Sequence, residues 1–150
     1  MTPLFKKLNL TSQTVIHVLD APASFTPELE ALAGVNVLRE LKGPTGFVMA
    51  FARTQAEVDA ASQLIASCAE GDAIVWMAYP KKSSRTYRCE FNRDTGWAVL
   101  GAAGYEAVRQ VAIDADWSAL RFRKVEFIKR ITRNAAGAIS KAGQARASLK

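Results

Sequence analysis

The segment Phe47–Tyr79 constrains the fold of this chain more than any other. Phe47-Val48-Met49-Ala50-Phe51-Ala52 is an unbroken apolar run of strand length. Thr54-Gln55-Ala56-Glu57 follows with capping-box spacing, in which the Thr54 and Glu57 side chains satisfy free amides at a helix start. Val58, Ala61, Leu64, Ile65 and Cys68 then recur on one face, which predicts a helix to about Ala69 closed by Gly71. A second apolar run, Ala73-Ile74-Val75-Trp76-Met77-Ala78-Tyr79, reads as another buried strand, stopped by Pro80. Two fully apolar strands joined through a helix make a crossover unit, and such units are parallel.

The chain before this unit adds further elements. Thr14–Leu19 is β-branched and apolar on both faces, which predicts a central strand ended by Asp20. Thr26-Pro27-Glu28 has the composition of a helix start, with Thr26 as N-cap, and Gly34 suits a left-handed end. Val35–Leu41 reads as a strand. The short turn Lys42–Gly46 leads into the run at Phe47, so these two strands are expected to pair antiparallel.

Beyond the unit, Thr86–Phe91 alternates and suggests a short strand. Asp94-Thr95-Gly96 is expected to open a helix through Trp97, Val99, Leu100 and Ala103, ended by Gly104. Ala107–Ile113 and Trp117–Val125 read as strands of a hairpin around Asp114-Ala115-Asp116. A three-residue loop places Arg109 opposite Arg121, a like-charge pair that calls for an anion or carboxylate nearby; a four-residue loop pairs Val111 with Leu120 instead. The expected fold is a single α/β domain over residues 1–128, with a mixed, partly parallel sheet flanked by helices, and a basic helix or tail over 129–150.

Charge bears on function through its placement. The net charge is +6, yet all 14 acids and 14 of the 20 bases precede Lys129. The body is formally neutral and the tail holds the excess. Six bases spread over Ala-, Gly- and Ser-rich sequence can touch nucleic-acid phosphates without reading bases, or can serve solubility or a partner. No apolar run reaches the length of a membrane span, and Met1–Leu10 lacks the apolar core of a secretory leader. Cys68 and Cys89 form no disulfide framework, so a cytoplasmic protein with free thiols and no membrane partner is expected. The oligomeric state is not encoded in any pattern here.

Several chemistries are set aside on the residues alone. Asp20-Ala21-Pro22-Ala23 lacks the glycines that bring backbone to a pyrophosphate, and no Walker loop occurs. His17 is the only histidine and sits mid-strand, which suits a hydrogen-bonded core residue and excludes zinc spacing. Ser83 and Ser84 lack the Ser-x-x-Lys spacing of a Ser–Lys nucleophile. Neither a cofactor, a metal nor a catalytic residue is indicated. The loop Lys81-Lys82-Ser83-Ser84-Arg85 remains as the candidate site, because it delivers cations and hydroxyls at a strand end. Arg88, Arg93, Asp94, Arg121 and Arg123 are its candidate companions. The leading expectation is a non-enzymatic domain that binds an anionic ligand or a protein partner there. The alternatives are a small enzyme on a phosphorylated substrate, using Lys81, Lys82, Arg88 and Asp94, and a nucleic-acid accessory protein acting through the tail.

Three spaced motifs carry a resemblance: Tyr79-Pro80-Lys81-Lys82-Ser83-Ser84, Arg93-Asp94-Thr95-Gly96-Trp97, and Asp114-Ala115-Asp116 continuing through Trp117-Ser118-Ala119-Leu120-Arg121-Phe122-Arg123. Over roughly residues 72 to 130 the chain resembles a group of small bacterial proteins known as a domain of unknown function. The resemblance implies a bacterial cytosolic protein and points to the same loops. It brings no catalytic role with it.

Overall fold

The computed structural model describes residues 2–91 and 95–128. The tail 129–150, together with Arg93 and Asp94, lies outside the described residues. The elements run α1 (Pro3–Lys7), β1 (Val15–Leu19), a 3-10 turn (Ala23–Phe25), α2 (Thr26–Glu30), β2 (Asn36–Leu38), β3 (Thr45–Phe51), α3 (Gln55–Cys68), β4 (Ala69–Pro80), α4 (Ala98–Ala102), β5 (Tyr105–Ala112), β6 (Trp117–Lys124) and a second 3-10 turn (Val125–Phe127). They form a single α/β domain on a six-stranded mixed sheet of order β2-β1-β3-β4-β6-β5.

The expected crossover is present. β3 and β4 pair in parallel from Phe47↔Ile74 to Phe51↔Ala78, and α3 connects them. The capping box is complete: Thr54 Oγ1 accepts from the Glu57 amide at 3.2 Å, and Glu57 Oε1 accepts from the Thr54 amide at 3.1 Å. The Arg53 amide also donates to Glu57, at 2.9 Å, and these backbone bonds hold the carboxyl below its ordinary range. Val58, Ser62 and Ile65 are buried, whereas Leu64 is exposed, so the core-facing stripe is narrower than the apolar spacing suggests. α3 ends at Cys68, and β4 begins at once from Ala69, with Gly71 at φ +56° inside an irregular stretch of that strand.

Burial on both faces of the central strands divides the interior into two cores. Val75, Met77 and Tyr79 of β4 join Ile65, Trp97, Leu120 and Phe122 on one face. Trp76 and Ala78 join Phe5, Phe25, Phe47, Phe51 and Trp117 on the other. The period-two alternation of a strand produces this partition from one continuous apolar run. The Trp76 indole donates to the Leu8 carbonyl at 2.8 Å, which ties the end of α1 to the middle of the sheet.

Four local expectations are corrected. β2 and β3 are not an antiparallel pair: both lie parallel to β1, on opposite sides of it. The chain uses β1 as a central template, so the short connection passes across it. Thr26 is the first residue of α2 and not its N-cap, because the Ala23–Phe25 turn leads directly into the helix. α4 is only five residues, begins after Trp97 and carries no side-chain cap, so Thr95 and Gly96 precede it outside the helix, with Gly96 at φ +93°. Thr86–Phe91 forms no strand. Its alternation arises because the segment passes between the two cores, with Tyr87 packed against one and Cys89 and Phe91 against the other.

The hairpin takes the three-residue loop. Ile113 and Trp117 close it through a 3.0 Å backbone bond, and Asp114 Oδ1 accepts from the Asp116 and Trp117 amides, each at 2.8 Å. Arg109 therefore pairs with Arg121, and an irregularity between Ala107 and Arg109 shifts the register beyond it.

Candidate functional site

The parallel strands end in a cleft of about 690 Å³ built around the end of β4. Tyr79, Pro80, Lys81 and Lys82 enter from β4 and its loop, Gln110 from β5 and Ser118 from β6. Tyr87, Arg88, Cys89, Glu90 and Phe91 close the opposite side, with Thr95 beside them. The floor is aromatic. Tyr79 meets Trp97 and Phe91 with ring centroids 5.8 and 6.0 Å apart, and Phe91 meets Trp97 edge-on at 5.0 Å. Gln110 Nε2 donates to the Tyr79 hydroxyl at 2.9 Å, which fixes both polar groups on the wall.

The loop is shaped by the hairpin tip. The Lys81 amide donates to the Asp116 carbonyl at 2.7 Å, and Ser84 Oγ donates to Asp116 Oδ1 at 2.8 Å. Ser84 Oγ also accepts from the Thr86 and Tyr87 amides at 3.2 and 3.1 Å. Its hydroxyl is spent on folding the loop, so Ser84 lines the cleft as a brace and not as an offered hydroxyl. Ser83 and Arg85 are exposed and stand outside the lining. Lys81, Lys82 and Arg88 make no ion pair with a described residue. The acid on the rim, Glu90, accepts from the Gln55 amide at 2.9 Å at the start of α3.

Cys89 is the thiol that lines the cleft. Burial pushes its thiol upward, so it stays protonated at neutral pH and is a poor nucleophile. His17 lies elsewhere, buried in β1. Its Nδ1 is 2.7 Å from Thr45 Oγ1, whose hydroxyl donates to the Phe47 carbonyl at 2.9 Å. Burial lowers its pKa, as suits a neutral core histidine.

The candidate residues therefore separate into groups. Lys81, Lys82, Ser84 and Arg88 converge on the cleft. Arg121 and Arg123 do not: alternation along β6 turns them to the face opposite Ser118 and Leu120. There Arg123 pairs with Asp72, and Arg121 reaches Asn9. Gln110, Ser118, Glu90 and Tyr87 join the site without any signal in the sequence, since each arrives through sheet order or loop closure.

A second cleft, of about 500 Å³, lies at the ends of β1 and β3. The chain leaves β1 toward β2 on one side and returns as β3 on the other, so this is the topological switch point of the sheet. Asp20, Phe51, Arg53, Glu57 and Trp117 line it, and Tyr87 borders both clefts. Asp20 has a positive φ of 58° and does not meet the lysines of the first cleft.

The sequence matches no protein-family model and no curated protein. Among solved structures, the chain is similar to a protein from Sulfolobus solfataricus assigned to the type 11 methyltransferases, with 10% identity, a TM-score of 0.47, and coverage of 87% of this chain and 82% of the other. It is also similar to the pyocyanin biosynthetic protein PhzM, with 14% identity and a TM-score of 0.46, over 77% of this chain and 52% of that one. Similarity to LepI, solved in complex with SAM, is 12% identity at a TM-score of 0.41, over 80% of this chain and 38% of that one. The chain thus spans about half or less of the latter two.

Proposed function

We propose that the cleft at the end of β4 binds a small anionic ligand, in a bacterial cytosolic protein that acts by binding and not by catalysis. One observation carries this reading. Lys81, Lys82 and Arg88 converge on a concave site with no ion pair to a described residue, while the rim carboxylate of Glu90 is turned to the α3 amide. Cations grouped without an ion-pair partner among the described residues repel one another, and an anion that enters the cleft relieves that repulsion. Gln110 and Ser118 supply neutral polar groups against the aromatic floor, which suits a ligand with a polar, uncharged portion beside its anionic group. The first and third motifs quoted above meet beside this cleft through the Lys81–Asp116 and Ser84–Asp116 bonds, which supports reading them as one site.

The test is thermal unfolding in orthophosphate against sodium chloride at equal ionic strength. Phosphate is expected to raise the Tm saturably, as any ligand specific to the folded state does. Lys81→Ala/Lys82→Ala is expected to remove most of that rise. A double variant that keeps the whole rise overturns the reading.

A further inference from the structure

Arg109 and Arg121 face each other across the β5–β6 hairpin. Both guanidinium groups donate through Nη1 to the same atom, Asn9 Oδ1, at 3.2 and 3.1 Å. That orientation of the Asn9 amide follows from chemistry, since its NH2 end would oppose two donors. Asn9 is held in place by two backbone anchors. The Trp76 indole fixes the preceding Leu8 carbonyl, and Trp76 is itself the register partner of Arg121. The Asn9 amide donates to the Lys6 carbonyl at 3.1 Å, and its backbone sits at φ +65°, a conformation Asn tolerates. The acceptor shared by the two arginines is therefore built into the fold, and it is neutral.

Charge compensation here is incomplete. Asp72 and Glu106 are the acids beside these arginines: Glu106 is buried and is the register partner of Arg123, and Arg123 occupies Asp72 in a forked arrangement, with Nε donating to Oδ1 at 2.8 Å and Nη2 to Oδ2. Arg123 holds the Asp72 carboxyl below its ordinary range, so it stays ionised and committed. Arg121 is partly desolvated: its Nε is shielded from solvent and meets no acceptor among the described residues. Burial and the two neighbouring arginines both disfavour its charge. Three guanidinium groups against two carboxylates leave an excess of positive charge, and the Nη1 groups of Arg109 and Arg121 meet only a neutral amide oxygen among the described residues.

We infer that Arg109 and Arg121, positioned by Asn9, form a second anion site that takes a tetrahedral oxyanion, phosphate or sulfate. It lies on the opposite face of β6 from the cleft and does not depend on that cleft's function. Each guanidinium keeps N–H donors beyond the one given to Asn9, and an oxyanion supplies both the acceptors and the countercharge that Asn9 lacks.

The test uses the Lys81→Ala/Lys82→Ala protein, so that the first cleft does not contribute. Its Tm is followed in sodium sulfate and in orthophosphate, each against sodium chloride at matched ionic strength. A saturable, oxyanion-specific rise is expected, and adding Arg109→Gln, an exposed position, is expected to abolish it. Asn9→Asp places a carboxylate where the amide oxygen stands and keeps the backbone conformation. It is expected to raise the Tm at low salt and to remove the oxyanion response. Glycerol 3-phosphate as a further arm separates the sources: a rise equal to that of orthophosphate marks a free ion, and a larger one marks the phosphate group of a bigger ligand. The inference is overturned if the oxyanion response is absent before Arg109 is changed. It is equally overturned if the response survives Arg109→Gln, or if Asn9→Asp leaves both the low-salt Tm and the response unchanged.

Discussion

The β3–α3–β4 unit and the described residues between Lys81 and Trp97 meet at the cleft and at the start of α3, yet they are held by different means. The first is regular. Its helix starts at a reciprocal cap, and its strands exchange a parallel ladder. The second has no helix or strand among its described residues before α4. It is anchored by side chains: Phe91 and Trp97 pack into the core, and Gln55 Nε2 reaches from α3 to the Gly96 carbonyl at 2.9 Å. The comparison teaches that a cleft wall can be carried by a few long-range contacts on a scaffold that folds by local rules.

The sharpest way to break the comparison is Trp97→Ala. Trp97 is 3% exposed and contacts Tyr79, Phe91 and Phe122. Its loss is expected to cost about 3–5 kcal/mol in urea unfolding. It should also abolish orthophosphate binding in the cleft, because the floor goes with it. Gly96→Ala comes next. Gly96 has φ +93°, and a Cβ there would stand 2.7 Å from Phe91 Cβ, so a cost of roughly 1–3 kcal/mol is expected. Thr54→Ala tests the regular region. Loss of the cap should cost about 1 kcal/mol and leave phosphate binding unchanged, since Thr54 does not line the cleft.

The smallest effect concerns His17, bonded to Thr45 at the start of β3. Its folded pKa lies below the ordinary 6.5, so the unfolded chain binds more protons in that range. Stability is expected to be full above 6.5 and to fall as the pH drops toward the folded value. With one histidine in the chain, His17→Asn should flatten that slope between about pH 7 and pH 5. A slope that persists in the variant would assign the titration elsewhere.

The elements most legible in the sequence are those with short-range causes. The Thr54–Glu57 cap, the apolar runs at Val48 and Val75 and the turn chemistry of Asp114 act within a few residues of themselves, and each appears where its pattern predicts. The strand-end position of Lys81 and Lys82 was legible for the same reason, since Pro80 ends the run before them. Sheet order was not. Whether β2 pairs with β3 or passes across β1 depends on which arrangement buries both faces of β1, Ile16 and Val18 on one and Leu19 on the other, and no local residue states it. The division of the arginines was equally hidden. A hairpin loop one residue longer would shift the pairing of Arg109 and bring Val111 opposite Leu120. Sequence by itself thus determined the parts and the positive charge at the end of β4. Tertiary structure decided which cations meet, because strand order and register follow from burial summed over the whole sheet and not from any one segment.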